Sequence, residues 1–340
     1  MEAICKVGDG PGAELLEVPI PRCKEGEVLI EVEEAAICAS DLQLFHWRPS
    51  VQGQTFPYPL VMGHEYVGWV REVGSGVAGF APGDYVAGET HIPCLACHYC
   101  DTGRMHICAN LGIVGRTHDG CFARYLAVSP WAVRKIPARL PGAVLLEPLG
   151  VAIHAIQQAG VQEKAVVNLG CGPIGLMAAA AAKRLGALQV IAISRTPAKL
   201  ARAASLGADI TINSQQQDPV EAVWDATWGL GADVVLEMSG SRTAFKQGLG
   251  MLRKQGAMVA VGNLDGPVEI DVLQDIVLQE KRLMGIFGRC MWQTWDTAVA
   301  LVRQGDLDLT SFISDVYPLQ EFQAAFAQAA GSMSKILLRP

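Results

Sequence analysis

AVVNLGCGPIGLMAAAAAKRLGALQVIAISR, residues 165–195, decides the fold. Residues 165–169 are a short apolar run with β-branched members, which predicts a buried parallel strand. Gly170, Gly172 and Gly175 then form G-x-G-x-x-G, with Pro173 and Ile174 between the last two. Residues 177–185 are Ala-rich and predict a helix, and 189–193 predict a second strand at β-α-β spacing. Each glycine has a physical reason: the first allows a tight turn off the strand, the second admits a pyrophosphate against the backbone, and the third lets helix and strand pack closely. The helix start then offers unpaired N–H groups and the positive end of its dipole to phosphate. In a chain with 36 glycines the triplet could mark only a turn. Its place between strand and helix selects dinucleotide binding.

The end of the second strand bears on which dinucleotide. An NAD site expects an acidic residue there for the ribose 2′-hydroxyl. This chain has Ser194 and Arg195, with Lys199 one turn on. A guanidinium suits a 2′-phosphate, so NADP(H) is expected in preference to NAD(H). The competing reading makes Arg195 a solvated residue at a helix start.

Further strands are expected at 208–212, 233–237, 257–261 and 282–287. Helices near 198–206, 220–226, 243–252 and 273–279 separate them. Six strands joined by crossovers make an α/β, doubly wound parallel sheet. Ligands sit at the carboxyl ends of such strands, which makes Ser239 and Gly262 candidate cofactor residues. An ordinary strand-to-helix turn explains them equally well. Past Gly288 the alternation stops. Helices at 292–303 and 319–330 and a strand at 335–338 are expected to rejoin the first domain.

That first domain reads as β structure broken by turns, as in EVLIEV at 27–32. It carries Cys38, Ser40 and Asp41, then Gly63, His64 and Glu65. Thiolate, imidazole and carboxylate are zinc ligands, and three of them with one open position make a catalytic site. Read alone, they could equally be a core thiol, a core histidine and a surface charge. Cys94, Cys97, Cys100 and Cys108 are sharper. Their C-x2-C-x2-C-x7-C spacing predicts a closed structural zinc site pinning a lobe at 91–110. The rivals are an iron–sulfur cluster and disulfides; the fourth cysteine lies too far on for the bacterial ferredoxin run, and no proline follows it. Glu147 precedes Pro148, after which an apolar helix is expected to begin.

The bulk numbers narrow the class. Half the 340 residues are hydrophobic and 18% are charged, as in a globular chain with a large core. A net charge of -7 and a pI near 5.5 argue against nucleic acid as the main partner. No stretch reads as a membrane span or as a signal peptide. Ten cysteines, clustered in a chain of this size, point to metal binding in the cytoplasm rather than to disulfides.

Taken together, Cys38 in AICASD, His64 and Glu65 in GHEYVG, the four-cysteine lobe, Glu147-Pro148 and the glycine triplet resemble the zinc-containing medium-chain alcohol dehydrogenases over the whole length. The threonine and sorbitol dehydrogenase-like members are the most similar. The resemblance implies a Rossmann domain at 151–289 and a β-rich, GroES-like catalytic domain at 1–150 and 290–340. It implies two zinc ions per chain, a small secondary alcohol or its ketone as substrate, and a homodimer or homotetramer. The catalytic zinc would be held by Cys38 and His64, with Glu65 or Glu147 completing the shell. Ser40 would be the first proton acceptor, and His91 falls where threonine dehydrogenases carry a substrate-pocket histidine. There are departures. Ser194 takes the place of the usual acidic ribose ligand, and Gln43 that of a common proton-relay histidine, with His46 as an alternative exit. NAD-dependent threonine oxidation is the main rival within the family. A nucleotide-binding sensor without turnover is the rival outside it, and the intact set of Cys38, Ser40, His64 and Glu65 speaks against that.

Overall fold

Val166, Val167 and Leu169 are buried, and their strand takes an inner place in a six-stranded parallel sheet. In this computed structural model, which describes residues 1–264 and 266–340, the sheet order is Ile210–Asn213, Gln189–Ser194, Ala165–Leu169, Ala232–Glu237, Leu252–Ala260, Arg282–Gly285. That is the doubly wound order, with its reversal beside Ala165–Leu169. Every pairing is parallel. Parallel strands buried on both faces need continuous apolar runs, and Gln189–Ser194 and Ala232–Glu237 supply them. The helix Pro173–Arg184 follows the first strand with proline in its first turn, where the missing N–H costs nothing. Ala178 to Ala182 are at most 1% exposed. Side chains that small let the helix lie close on the sheet.

The chain divides into two units, Leu149–Arg289 and Met1–Pro148 together with Cys290–Pro340. Each has its own apolar core, the first around Val167, Ile191, Val235 and Met258, the second around Ile30, Val70, Val86, Phe122 and Phe326. In the second unit Val28–Ala36 is central. It pairs antiparallel with Glu65–Val73, Tyr125–Val128 and Lys335–Arg339 within a seven-stranded sheet. Two register shifts along its pairing with Glu65–Val73 bend the sheet, as bulges do.

Two elements differ from expectation. Residues 273–279 form no regular α-helix: a π-turn, Val272–Ile276, runs into a 3-10 turn, Val277–Gln279. No residue in either turn is buried, so no packed face holds the segment in α geometry. The helix expected after Pro148 begins earlier, at Leu146. Glu147 and Pro148 therefore lie in its first turn, where proline is tolerated. Among the described residues no helix is long and apolar enough to cross a membrane.

Candidate active site

A short helix, Ala39–Phe45, starts directly after Cys38. Asp41 Oδ2 accepts the Cys38 backbone N–H at 2.9 Å, which ties down the start of the helix. Gly63 precedes His64 with φ +89°, and a Cβ there would lie 2.3 Å from the Phe122 ring. Only glycine fits such a left-handed, crowded corner. These two local structures bring the ligand atoms of Cys38, His64 and Glu65 within 4.8 Å of one another. Donor chemistry and spacing fit a zinc ion.

Around this set the charges are paired. Asp41 Oδ1 faces His64 Nδ1 at 3.4 Å, and both are buried. A carboxylate on the far side of a ligating imidazole orients the ring and fixes its tautomer. Burial opposes the charge on His64, but Asp41 and Cys38 raise its pKa well above the usual imidazole value. Burial likewise opposes the charge on Asp41, but His64 and the Cys38 N–H hold its pKa below the usual carboxylate range. Ser40 Oγ stands 3.5 Å from His64 Nε2. Gln43 is half-buried in the same helix, and His46 is exposed at its C-cap.

Glu65 is fully buried at the start of its strand, and both its oxygens accept from Lys335 Nζ, at 2.5 and 2.7 Å. Lys335 also donates to the Ile37 carbonyl at 3.3 Å. Burial pushes the Glu65 carboxyl above its usual range; Lys335 opposes that rise and Glu147 adds to it. Burial works against the Lys335 charge too, but Glu65, Cys38 and Glu147 hold it above the ordinary lysine range. Glu147 lies near enough to act on both and accepts the Thr90 hydroxyl at 2.5 Å. It is not among the three residues whose ligand atoms converge. In the sequence Lys335 is only the first residue of the strand expected at 335–338. A lone charge opening KILLR was the signal available.

His91 is buried on the short strand His91–Ile92. Its Nδ1 lies 2.8 Å from Glu89 Oε1, and Glu89 Oε2 accepts the Trp295 indole N–H at 2.7 Å. The ring is thus fixed by a buried carboxylate that nothing local in the sequence marks.

The four-cysteine lobe stands apart. Its sulfurs lie within 4.8 Å of one another, with Cys97 3.6 Å from Cys100 and 3.9 Å from Cys108. All four are free thiols. Zinc–sulfur bonds of about 2.3 Å in a tetrahedron put the sulfurs roughly 3.8 Å apart, so the quartet fits zinc. Backbone N–H groups, Ala109 first, bring the Cys97 thiol down to about 6. Desolvation and the neighbouring thiols push Cys100 up to about 11.

In the other unit, a cavity of about 480 Å³ opens at the carboxyl ends of the sheet strands. It brings together Gly170, Gly172, Ser194, Arg195, Lys199 and Ser239. Among the described residues lining it there are two cations and no carboxylate. Gly170 has φ +98°, and a Cβ on Gly175 would lie 2.0 Å from the Gly170 carbonyl oxygen. A Cβ on Gly172 would meet no atom within 4 Å. Gly172 therefore leaves a backbone cradle that fits a pyrophosphate. Pro173, Ile174, Gly175 and Gly262 are not among the lining residues. Pro173 and Ile174 open the helix, and Gly262 packs on the Gly240 backbone.

Residues 24–138 match the family model described as the alcohol dehydrogenase GroES-like domain, and residues 173–304 match the zinc-binding dehydrogenase model. Over its whole length the chain is 42% identical to the L-threonine 3-dehydrogenase of Symbiobacterium thermophilum and covers 98% of that protein. Among solved structures it is similar to the alcohol dehydrogenase of Thermus sp. ATN1, with TM-score 0.92, 32% identity, and coverage of 100% of this chain and 99% of that one. It is also similar to a zinc-binding dehydrogenase from Sinorhizobium meliloti bound to NADP, with TM-score 0.91, 31% identity and coverage of 100% and 99%.

Proposed function

This chain belongs to the zinc-containing medium-chain alcohol dehydrogenase family, oxidoreductases that act on alcohols, and from that premise we propose that it interconverts a polar secondary alcohol and its ketone with NADP(H) in preference to NAD(H). The observation that carries the cofactor choice is the strand end at Ser194, where Arg195 and Lys199 line the cavity and no carboxylate competes for the ribose. A guanidinium and an ammonium there favour a 2′-phosphate.

In this reading Cys38, His64 and Glu65 hold the catalytic zinc, and Glu147 is the second carboxylate that can take the place of Glu65. Cys94, Cys97, Cys100 and Cys108 hold the structural one. Bound zinc supplies Lewis-acid polarisation of the substrate oxygen, and the bound nicotinamide is the hydride partner. The chain's own residues do the rest. Asp41 keeps the His64 ring oriented through Nδ1. Ser40, 3.5 Å from His64 Nε2, accepts the hydroxyl proton. Gln43 lies one helical turn beyond Ser40 but cannot titrate, so the proton passes on through water. Glu89 fixes the His91 ring through Nδ1 and so orients it toward polar groups of the substrate. A homodimer or homotetramer is part of the proposal. Its support is the exposed apolar set Leu273, Val277, Leu278, Leu283 and Phe287, beside the sheet's edge strand Arg282–Gly285.

The test is fluorescence titration of NADPH against NADH, on wild type and on Arg195→Ala. Tighter NADPH binding that Arg195→Ala abolishes upholds the reading. Equal or tighter NADH binding overturns it and favours the second reading, NAD-dependent oxidation of L-threonine, which rests on the 42% identity to an L-threonine 3-dehydrogenase and on the exposure of Arg195.

A further inference from the structure

Arg116 follows the short strand Gly112–Ile113 and reaches the first turn of the helix that carries Ser40. Its Nη2 donates to the Ser40 carbonyl at 2.6 Å. Its Nη1 is buried with no hydrogen-bond partner among the described residues. The guanidinium carbon stands 5.8 Å from the centre of the Phe56 ring. Burial lowers the pKa of this group, while Asp41 and Cys38 support its charge. Neither of those anions satisfies Nη1: Asp41 is engaged with His64 and the Cys38 N–H, and Cys38 belongs to the metal set.

A buried charged donor without a partner is costly, and native structures fill such positions with water, an ion or a ligand. A guanidinium is a rigid fork that cannot give up its proton. Docking one arm on the Ser40 carbonyl fixes the direction of the other, and a planar donor held in place with one arm open is shaped for an oxyanion. The open arm belongs to the same side chain that holds Ser40.

We propose that Arg116 Nη1 receives an acid group of the substrate, so that the secondary alcohol used by this site is a hydroxy acid or a hydroxy phosphate rather than a neutral polyol. The assignment rests on the dehydrogenase reading above and adds to it the charge class of the substrate and the residue that selects it.

The zinc-loaded enzyme tests this with matched pairs. For 3-hydroxybutanoate and 3-hydroxybutanamide, kcat/KM should favour the acid by about tenfold to a hundredfold, the range of one charge-assisted hydrogen bond. Propane-1,2-diol and its 1-phosphate distinguish carboxylate from phosphate. Arg116→Met should bring the acid-to-amide ratio of kcat/KM close to one, whereas freeing the Ser40 carbonyl slows both substrates by the same factor and leaves that ratio untouched. Arg116→Lys should keep part of the preference, since charge remains but the fork is lost. Equal use of acid and amide by wild type overturns the proposal, as does an Arg116→Met variant that loses both alike. Calorimetric binding of unreactive butanoate against butanamide to wild type needs neither turnover nor a variant. A butanoate preference there supports the subsite even if Arg116→Met does not fold, and its absence overturns it. Failure to oxidise any secondary alcohol with either nicotinamide, with butanoate still preferred, removes the dehydrogenase reading and keeps the subsite. Oxidation of alcohols without charge preference does the reverse.

Discussion

Replacing Lys335 by methionine isolates the Glu65 carboxylate. The pair is 4% and 0% exposed, with both Glu65 oxygens within 2.7 Å of Nζ, so solvent screens neither partner. Methionine keeps the volume and removes the charge. A buried ion left without its partner costs about 3–5 kcal/mol. At about 2–4 °C per kcal/mol for domains of 150–250 residues, the melting point should fall by roughly 6–20 °C. The assay is thermal and urea unfolding of protein stripped of metal with a chelator, on Lys335→Met, Glu65→Gln and the double variant. Each single change strands one buried charge. The double variant strands none and should lie within about 1–2 kcal/mol of wild type, since neutral replacements of a buried pair are well tolerated. Restoring zinc should narrow the deficit of Lys335→Met, because the cation then offsets Glu65. A loss under about 1 kcal/mol for Lys335→Met in the metal-free protein, or a double variant that loses the sum of the two singles, would refute the reasoning.

Gly172→Ala should leave stability unchanged, because its Cβ meets nothing and its φ is an ordinary -76°. It should still weaken dinucleotide binding by more than about tenfold, since the methyl occupies the place of the pyrophosphate; equilibrium titration checks this. Gly175→Ala should do the opposite first, costing about 1–3 kcal/mol of stability, because its Cβ would lie 2.0 Å from a backbone oxygen. Urea unfolding of the two variants side by side separates the effects. Cys97→Ser should remove one zinc per chain by elemental analysis and expose the lobe at 91–110 to proteolysis while leaving the other zinc bound. Loss of both ions would contradict the separation of the two sites.

What was legible in the sequence was local. The glycine triplet, the four-cysteine lobe and the Gly63-His64-Glu65 corner each lie within a few residues and owe their chemistry to a single turn or strand end. The six-stranded, doubly wound parallel sheet followed from alternation of strand and helix. The pairings that tune the site were not legible. Lys335 meets Glu65 across 270 residues of sequence, Trp295 meets Glu89 across 206, and Arg116 meets Ser40 across 76. Contacts at such separations leave no periodic trace, and each partner alone reads as a surface charge or a core aromatic. Residues 273–279 misled for a related reason: their composition favours helix, but regular helix needs a face to bury, and no residue of the two turns is buried.

The partner of Glu65 lies beyond the whole of Leu149–Arg289 in the chain. On the ribosome, Cys38, His64 and Glu65 emerge long before Lys335. The intervening unit is contiguous and has its own core, so it can fold while the catalytic unit still lacks Ile313–Pro318 and Lys335–Arg339 from its sheet. Until then the carboxylate has no lysine beside it, and Val28–Ala36 has one edge unpaired at Ala35 and Ala36. The buried Glu65–Lys335 pair beside the metal set is thereby completed only when the late strands are made. A nascent chain that stalls before them would display a competent nucleotide fold joined to an unfinished catalytic half. Such a chain presents an open strand edge, the kind of surface that chaperones and proteases read.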